Sequence, residues 1–434
     1  MLPRSRKARV LVGLLVAAIV LTAAALAFLL GARNPGDVSN PDVAFETTAT
    51  PKPAPKPGAA NFRWPFYGYD AARTHNYPLA RPLRPTKKVR WSLRGSVLLE
   101  FTPVADGDSL LLLKNNASLY ALKRQTGVVY WKKKLGDLAA SSPAYVDGIA
   151  YCTILAGTRG SKKGRIVAVD PKKKKILWSK NLASRTESSP FVRNGVVYFG
   201  SENGTVYALR AKDGKVLWTY KASGAVKGGL AYANGKLFFG DYAGTVHGIS
   251  AKNGKALWTS GGGGALGLGG GQFYGTASVA FGRVYIGNTN SSVYSFSTSN
   301  GEMAWRQGTG GYVYSSAAVA DIPKLGPTVY IGSYDGNLYA LNAKSGAIRW
   351  SKPTGGRISG GIQIIGDLVF YSTLEKKTAA LSVRNGRTIW SVAKGQFNPA
   401  IFDGKLLVVM GMTSMFAYET KSVGKANSAP TAAK

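Results

Sequence analysis

Metal, redox and nucleophilic chemistry have few residues to draw on in this chain. It holds one cysteine and two histidines. Cys152 lies in the apolar run Ile149-Ala-Tyr-Cys-Thr-Ile154 with no base beside it, which reads as a buried, inert thiol. A lone cysteine excludes an internal disulfide and a c-type haem attachment. His75 and His247 are too far apart in sequence to read as a metal-binding pair. Glu100 and Glu187 fall near the starts of strand-like runs, where they could face a channel, and Asp241 and Asp335 fall in turns. No two share a spacing that converges on a metal such as calcium, and all four read as turn and rim residues. The glycine run 261–271 could be mistaken for a phosphate loop. It lacks the Lys-Ser/Thr ending and introduces no helix, so it is expected as a mobile loop joining two strands.

Charge is more telling. The 56 Lys+Arg against 21 Asp+Glu give a formal net charge of +35. Such an imbalance concerns partners and solubility, not fold. The 54 glycines, 22 tyrosines and 9 tryptophans suggest an all-β chain of aromatic strands and tight turns.

Those strands repeat. Trp91, Trp131, Trp178, Trp218, Trp258, Trp305, Trp350 and Trp390 recur at intervals of 40 to 47 residues. Each ends a segment like Ala208-Leu-Arg-Ala-Lys-Asp-Gly-Lys-Val-Leu-Trp218. Upstream of Trp218, residues 189–193, 196–200 and 205–209 read as three strands, and residues 215–219 as a fourth. Four antiparallel strands in roughly 40 residues make a propeller blade. Seven such units end at Trp131 through Trp390, and three strands, 399–402, 405–410 and 414–418, follow without a fourth. The strand around Val89–Ser92 is expected to complete that eighth blade, which closes the ring and leaves no free sheet edge. The repeat tryptophans are expected to pack between blades and donate their indole N–H to a backbone carbonyl. Lys174 replaces the turn glycine of its unit, where a bulged or less regular turn is expected.

The segment A-x-x-x-x-[TSDN]-G-x-x-x-W resembles the tryptophan-docking repeat of the pyrroloquinoline-quinone (PQQ) propeller family. That family includes quinoprotein alcohol dehydrogenases and non-enzymatic outer-membrane assembly lipoproteins of the BamB type. The resemblance covers about residues 61–421, and Trp64-Pro-Phe-Tyr-Gly-Tyr-Asp-Ala-Ala-Arg-Thr74 is similar to the segment preceding blade one in many members. It implies an all-β, eight-bladed β-propeller of the quinoprotein alcohol dehydrogenase type. The enzymes sandwich their quinone between a tryptophan and a disulfide of adjacent cysteines, beside calcium, on the face of the fourth-to-first-strand connections. One cysteine excludes that disulfide. The reading is therefore a non-catalytic binding or scaffold module without cofactor. The alternative is a PQQ- and calcium-dependent oxidoreductase, or its relic.

Val10–Leu30 is 21 residues without a charge, and as a helix would span roughly 31 Å, enough for one transmembrane helix. Arg4, Arg6, Lys7 and Arg9 precede it, which places residues 1–9 in the cytoplasm and the remainder outside a cell membrane. A cleavable secretory signal is the competing reading. Residues 31–60 carry Pro35, Pro41, Pro51, Pro53, Pro55 and Pro57 and are expected as a semi-rigid spacer. Residues 61–88 form a lead-in, 89–421 the propeller and 422–434 a disordered tail. The turns and outer strands of blades 1–3 carry Lys123, Arg124, Lys132, Lys133, Lys134, Lys172, Lys173, Lys174, Lys175, Arg210, Lys212 and Lys215. They are expected to form a basic sector for an envelope protein or anionic cell-surface polymer. Nucleic acid is not expected, since no aromatic interleaving marks a stacking platform.

Overall fold

The structure, a computed structural model, describes Thr22 and residues 36–47, 62–79, 81–158, 160–261 and 270–422. The apolar run 10–30, the centre of the glycine run and the tail from 423 lie outside these residues. Among the described residues no helix is long and apolar enough to cross a membrane.

Each repeat unit folds as four antiparallel strands because its branched and aromatic residues suit a pleated surface and its turns carry residues tolerant of positive φ. Blade 3 is typical: Phe191–Arg193, Val196–Phe199, Thr205–Arg210 and Val216–Lys221 pair in order. Asn194 (φ 49°) and Gly195 (φ 72°) make its first hairpin, the left-handed pair that matches strand twist. Eight such sheets form the propeller. The eighth joins Ala400–Phe402, Leu406–Met410 and Met415–Ser422 to an N-terminal outer strand, with Trp91 opposite Ala417. That strand runs Leu83–Leu93, so the propeller begins within the stretch expected as lead-in.

The tryptophans lock blade to blade. Seven indoles donate to the next blade in the ring: Trp91 to Arg124 O, Trp178 to Ala211 O, Trp218 to Ala251 O, Trp258 to Thr298 O, Trp305 to Ala343 O, Trp350 to Val383 O and Trp390 to Thr86 O. Six of these rings, all but Trp390, lie against a turn glycine; a Cβ on Gly214 would sit 2.7 Å from the Trp178 ring. Trp131 makes no such bond. Its seat in blade 2 carries Lys174 in place of glycine. Lys174 nonetheless adopts φ 56°, and the register shift at Ala168/Val169 matches the shift at Ala208/Leu209 in blade 3. The irregular turn expected there is thus the ordinary one, built with a side chain in a left-handed position. Trp91, Trp258, Trp305 and Trp390 are buried, whereas Trp131, Trp178, Trp218 and Trp350 are half-buried.

Two N-terminal segments complete the body. Residues 62–79 plug the channel by hydrogen bonding to the first strands of successive blades. Tyr145 N donates to Pro65 O, Tyr232 N to Ala71 O, Val279 N to Ala72 O, Val319 N to Thr74 O and Ile364 N to His75 O. Arg73, wholly buried, donates to the carbonyls of Tyr67, Ser189, Pro190 and Leu230. Such bonds to four dipoles satisfy a charge that burial would otherwise penalise.

Residues 36–47, within the stretch expected as spacer, are strapped to blade 5. Val38 and Ser39 pair with Arg306 and Trp305 as an added edge strand. Asp37 accepts from Gly308 N, and Asn40 N donates to Ala304 O. Arg283 donates to Val43 O and to Ala44 O, while Phe45 stacks on Phe281 at 5.5 Å. Val43 is 6% exposed. Short apolar residues and a free strand edge on blade 5 thus override the proline-rich composition around them.

Candidate functional site

Two places could bind something: the basic rim and the channel mouth. On the rim, eleven of the twelve basic residues are exposed. Lys134 pairs with Asp137 at 3.3 Å, Lys173 with Asp170 at 3.9 Å, and Arg210 with Asp213. Lys123, Lys132, Lys133, Lys172, Lys174, Lys175, Lys212 and Lys215 have no ion-pair partner among the described residues. Leu177 and Leu217 are exposed between these lysines, at 43% and 48%. Arg124 does not belong to this surface. It is 2% exposed, bonds Gly107 O and the Asp403 carbonyl, lies 3.6 Å from the Asp403 carboxylate and covers the Phe62 ring at 4.7 Å. Its chain position suggested a turn; its side chain instead clamps blade 1, blade 8 and the plug.

The mouth lies where each fourth strand returns to a first strand. A girdle of small polar groups joins the blades there. Thr102 and Ser142 hydroxyls meet at 3.3 Å, Ser142 N donates to Ser189 Oγ, Gly229 N to Thr276 Oγ1, Thr276 N to Ser316 Oγ and Gly361 N to Asn398 Oδ1. Tyr67 of the plug forms the floor, its hydroxyl 3.1 Å from Asn398 Oδ1. Above the girdle is a bowl of about 540 Å³, counting space open to solvent, lined among others by Tyr67, Glu100, Phe101, Glu187, Lys227, Tyr274, Tyr314 and Phe397.

The two carboxylates that face this bowl differ. Glu187 binds Lys227 at 2.8 Å, and Glu202 shares that lysine at 3.3 Å. Burial raises the Glu187 carboxyl above its usual range, Lys227 opposing and Glu202 adding to the shift. Glu100 accepts only the Asn115 amide at 2.9 Å and has no cation beside it among the described residues.

Asp241 and Asp335 serve their own turns. Asp241 accepts from Gly224 N, Ala243 N and Thr245 N and meets His247 Nε2 at 3.0 Å, wholly buried. Burial opposes its charge, but the His247 contact and the N–H groups of Thr245 and Gly224 outweigh it and hold the carboxyl below its usual range. Asp335 accepts from Tyr339 and Asn337 N. Cys152 is wholly buried, and burial raises its thiol far above the ordinary range.

A sequence model of the family described as outer membrane protein assembly factor BamB matches residues 153–321 and 291–422, more than half of the chain. The chain belongs to the PQQ-like propeller family. No curated protein matches it. BamB from Moraxella catarrhalis is similar over 78% of this chain and all of its own, at 17% identity and a TM-score of 0.61. A europium-containing methanol dehydrogenase covers 82% of this chain and 98% of its own, at 14% identity and 0.66. Quinohemoprotein alcohol dehydrogenase from Comamonas testosteroni covers 82% and 80%, also at 14% and 0.66. At such identities the likeness establishes the fold alone.

Membership raises the question of the quinone. The residues at the mouth of this PQQ-like propeller do not fit it. PQQ is a tricarboxylate, whereas the bowl presents Glu100 and Glu187 against one lysine that Glu187 and Glu202 already share. Among the described residues no group of three His, Cys, Asp or Glu could hold a metal. The one thiol is sealed in blade 2. The sequence reading found Glu100 and Glu187 but missed Tyr274 and Tyr314. Superposing the repeats would have found them, since Glu100, Glu187, Lys227, Tyr274 and Tyr314 occupy the same place in blades 1, 3, 4, 5 and 6.

Proposed function

We propose that this propeller is a non-catalytic binding module, tethered through residues 10–30 to a membrane, whose basic rim on blades 1–3 docks an anionic partner outside the cytoplasm. The observation that carries the reading is the run of exposed, largely unpaired lysines on three consecutive blades. Such a field steers an anionic partner and weakens with salt, because exposed charges are screened within about 8–10 Å at physiological ionic strength. Exposed Leu177 and Leu217 between the lysines favour an acidic envelope protein, since interfaces mix apolar anchors with charge. A phosphate-bearing surface polymer is the other candidate.

The test titrates the full chain with polyglutamate and long-chain polyphosphate at rising salt, beside the quadruple variant with Ser at positions 172–175. Binding should fall steeply with salt and be weaker in the variant, with little change in melting temperature. Equal binding by both proteins across the titration would reduce the rim to a solubility feature.

A further inference from the structure

The mouth carries a second site, of opposite sign. In a chain with 56 Lys+Arg, Glu100 faces the bowl with no ion-pair partner among the described residues, while the bowl's own cation, Lys227, is held by Glu187 and Glu202. Its Oε2 accepts the Asn115 amide, and its backbone is pinned by Asn115 and Asn398. The carboxylate is therefore fixed in place, with capacity to accept more. Five aromatic rings line the same bowl. Tyr67 and Phe101 meet edge-on at 6.2 Å, Tyr274 and Tyr314 at 5.5 Å, and Phe397 completes the wall. Burial first, and then the charges of Glu187 and Glu100, push the Tyr274 phenol far above its ordinary range. Both carboxylates thus act on one wall of the bowl, and its phenol stays neutral.

A fixed carboxylate within an aromatic wall has a specific ligand chemistry. Ring faces attract cations through their quadrupole, and they favour weakly hydrated organic cations that also fill apolar space. A bare metal ion would need several oxygen ligands, which this wall does not supply. An anion would meet Glu100 and Glu187. We propose that the mouth of the propeller binds an organic ammonium group, with Glu100 as its counter-ion and Phe101, Tyr274 and Tyr314 as its cage. The girdle and plug close the bowl from below, so the ligand enters from the mouth face and cannot pass through. This site is separate from the basic rim and does not rest on it. A partner with an acidic face and a protruding amine could engage both.

Two sources share this chemistry: a primary amine, as on a lysyl side chain, and a quaternary headgroup of the choline type. Isothermal titration of the full chain with n-butylammonium, choline and the neutral choline isostere 3,3-dimethylbutan-1-ol separates them. One of the two cations should bind with a Kd in about the millimolar range or tighter, and the neutral alcohol should not. The tighter cation names the source. Glu100→Gln keeps an acceptor for Asn115 and should weaken binding by about tenfold or more. Tyr314→Leu should weaken the quaternary ion more than the primary one. The urea unfolding midpoint, followed by tryptophan fluorescence, serves as the folding control and should be nearly unchanged in both variants. Equal binding of the neutral alcohol, no binding of either cation, or an unchanged affinity in Glu100→Gln would overturn the proposal. Displacement of the ammonium by stoichiometric calcium would also overturn it, in favour of a metal site.

Discussion

Replacing Lys174 by glycine should make this protein more stable, although it removes a side chain and adds no contact of its own. Lys174 sits at φ 56°, a left-handed conformation that costs a residue with a Cβ about 1–2 kcal/mol. Glycine relieves that strain but frees the unfolded chain, at a cost of about 0.4–1 kcal/mol. Removing the Cβ also opens the seat that Trp178 uses at Gly214 and Trp218 at Gly254. Trp131 could then settle onto blade 2 and donate to the Pro171 carbonyl, a hydrogen bond worth about 0.5–1.5 kcal/mol. The net expectation is a gain of about 1–2 kcal/mol. Urea unfolding followed by tryptophan fluorescence would show it as a higher midpoint at unchanged slope. The mirror change, Gly214→Lys, should lower the midpoint, because it adds a Cβ at φ 72° against Trp178 and threatens its 2.8 Å bond to Ala211 O. A Lys174→Gly protein with an unchanged or lower midpoint would refute the docking argument.

Trp218→Ala should cost about 3 kcal/mol in the same assay, at the low end for large-to-small changes because the ring is half-buried; a loss under about 1 kcal/mol would mean that the indole is not a lock. His75 supplies a pH dependence. Burial, and then the adjacent Arg73 charge, lower it to about 3, so it stays neutral when folded. A base depressed in the folded state binds more protons when unfolded. Its contribution is complete above the unfolded value near 6.5 and is lost as pH falls toward about 3, at about 1.4 kcal/mol per pH unit. Urea midpoints between pH 6 and 4 should therefore fall less steeply for His75→Asn than for the parent; parallel curves would show that His75 titrates normally.

The parts legible in the sequence are those that repeat. The turn glycines, the closing strand at Trp91 and the lock made by seven of the eight repeat indoles follow from period and local geometry alone. The plug follows no period. Its course is set by bonds that the carbonyls of Pro65, Ala71, Ala72, Thr74 and His75 accept from first strands far along the chain, and Tyr69, Arg73 and His75 take positive φ to reach them. Arg124 looked like a surface charge because its partner, Asp403, lies 279 residues away. The strap was hidden for the same reason, since Val43 and Phe45 gain meaning only from Arg283 and Phe281. At the mouth, carboxylates were visible as residue types, but the cage required the blades to be closed into a ring.

If the apolar run 10–30 anchors the chain as proposed, the strap sets the mechanics of that tether. Only the stretch from Leu30 to Gly36 separates the apolar run from the first strapped residue, about 20 Å when fully extended. The prolines at 51–57 lie beyond the strap, between Thr47 and Phe62, both on the same folded body. They add nothing to the leash. A propeller anchored in that way would be moored by one edge, at blade 5, with blade 1 across the ring from the mooring. The reach of its basic blades is then the width of the propeller itself, carried outward by a rigid body and not by a flexible arm. A partner captured there would be held at a nearly fixed height, and lengthening the proline segment would not move it.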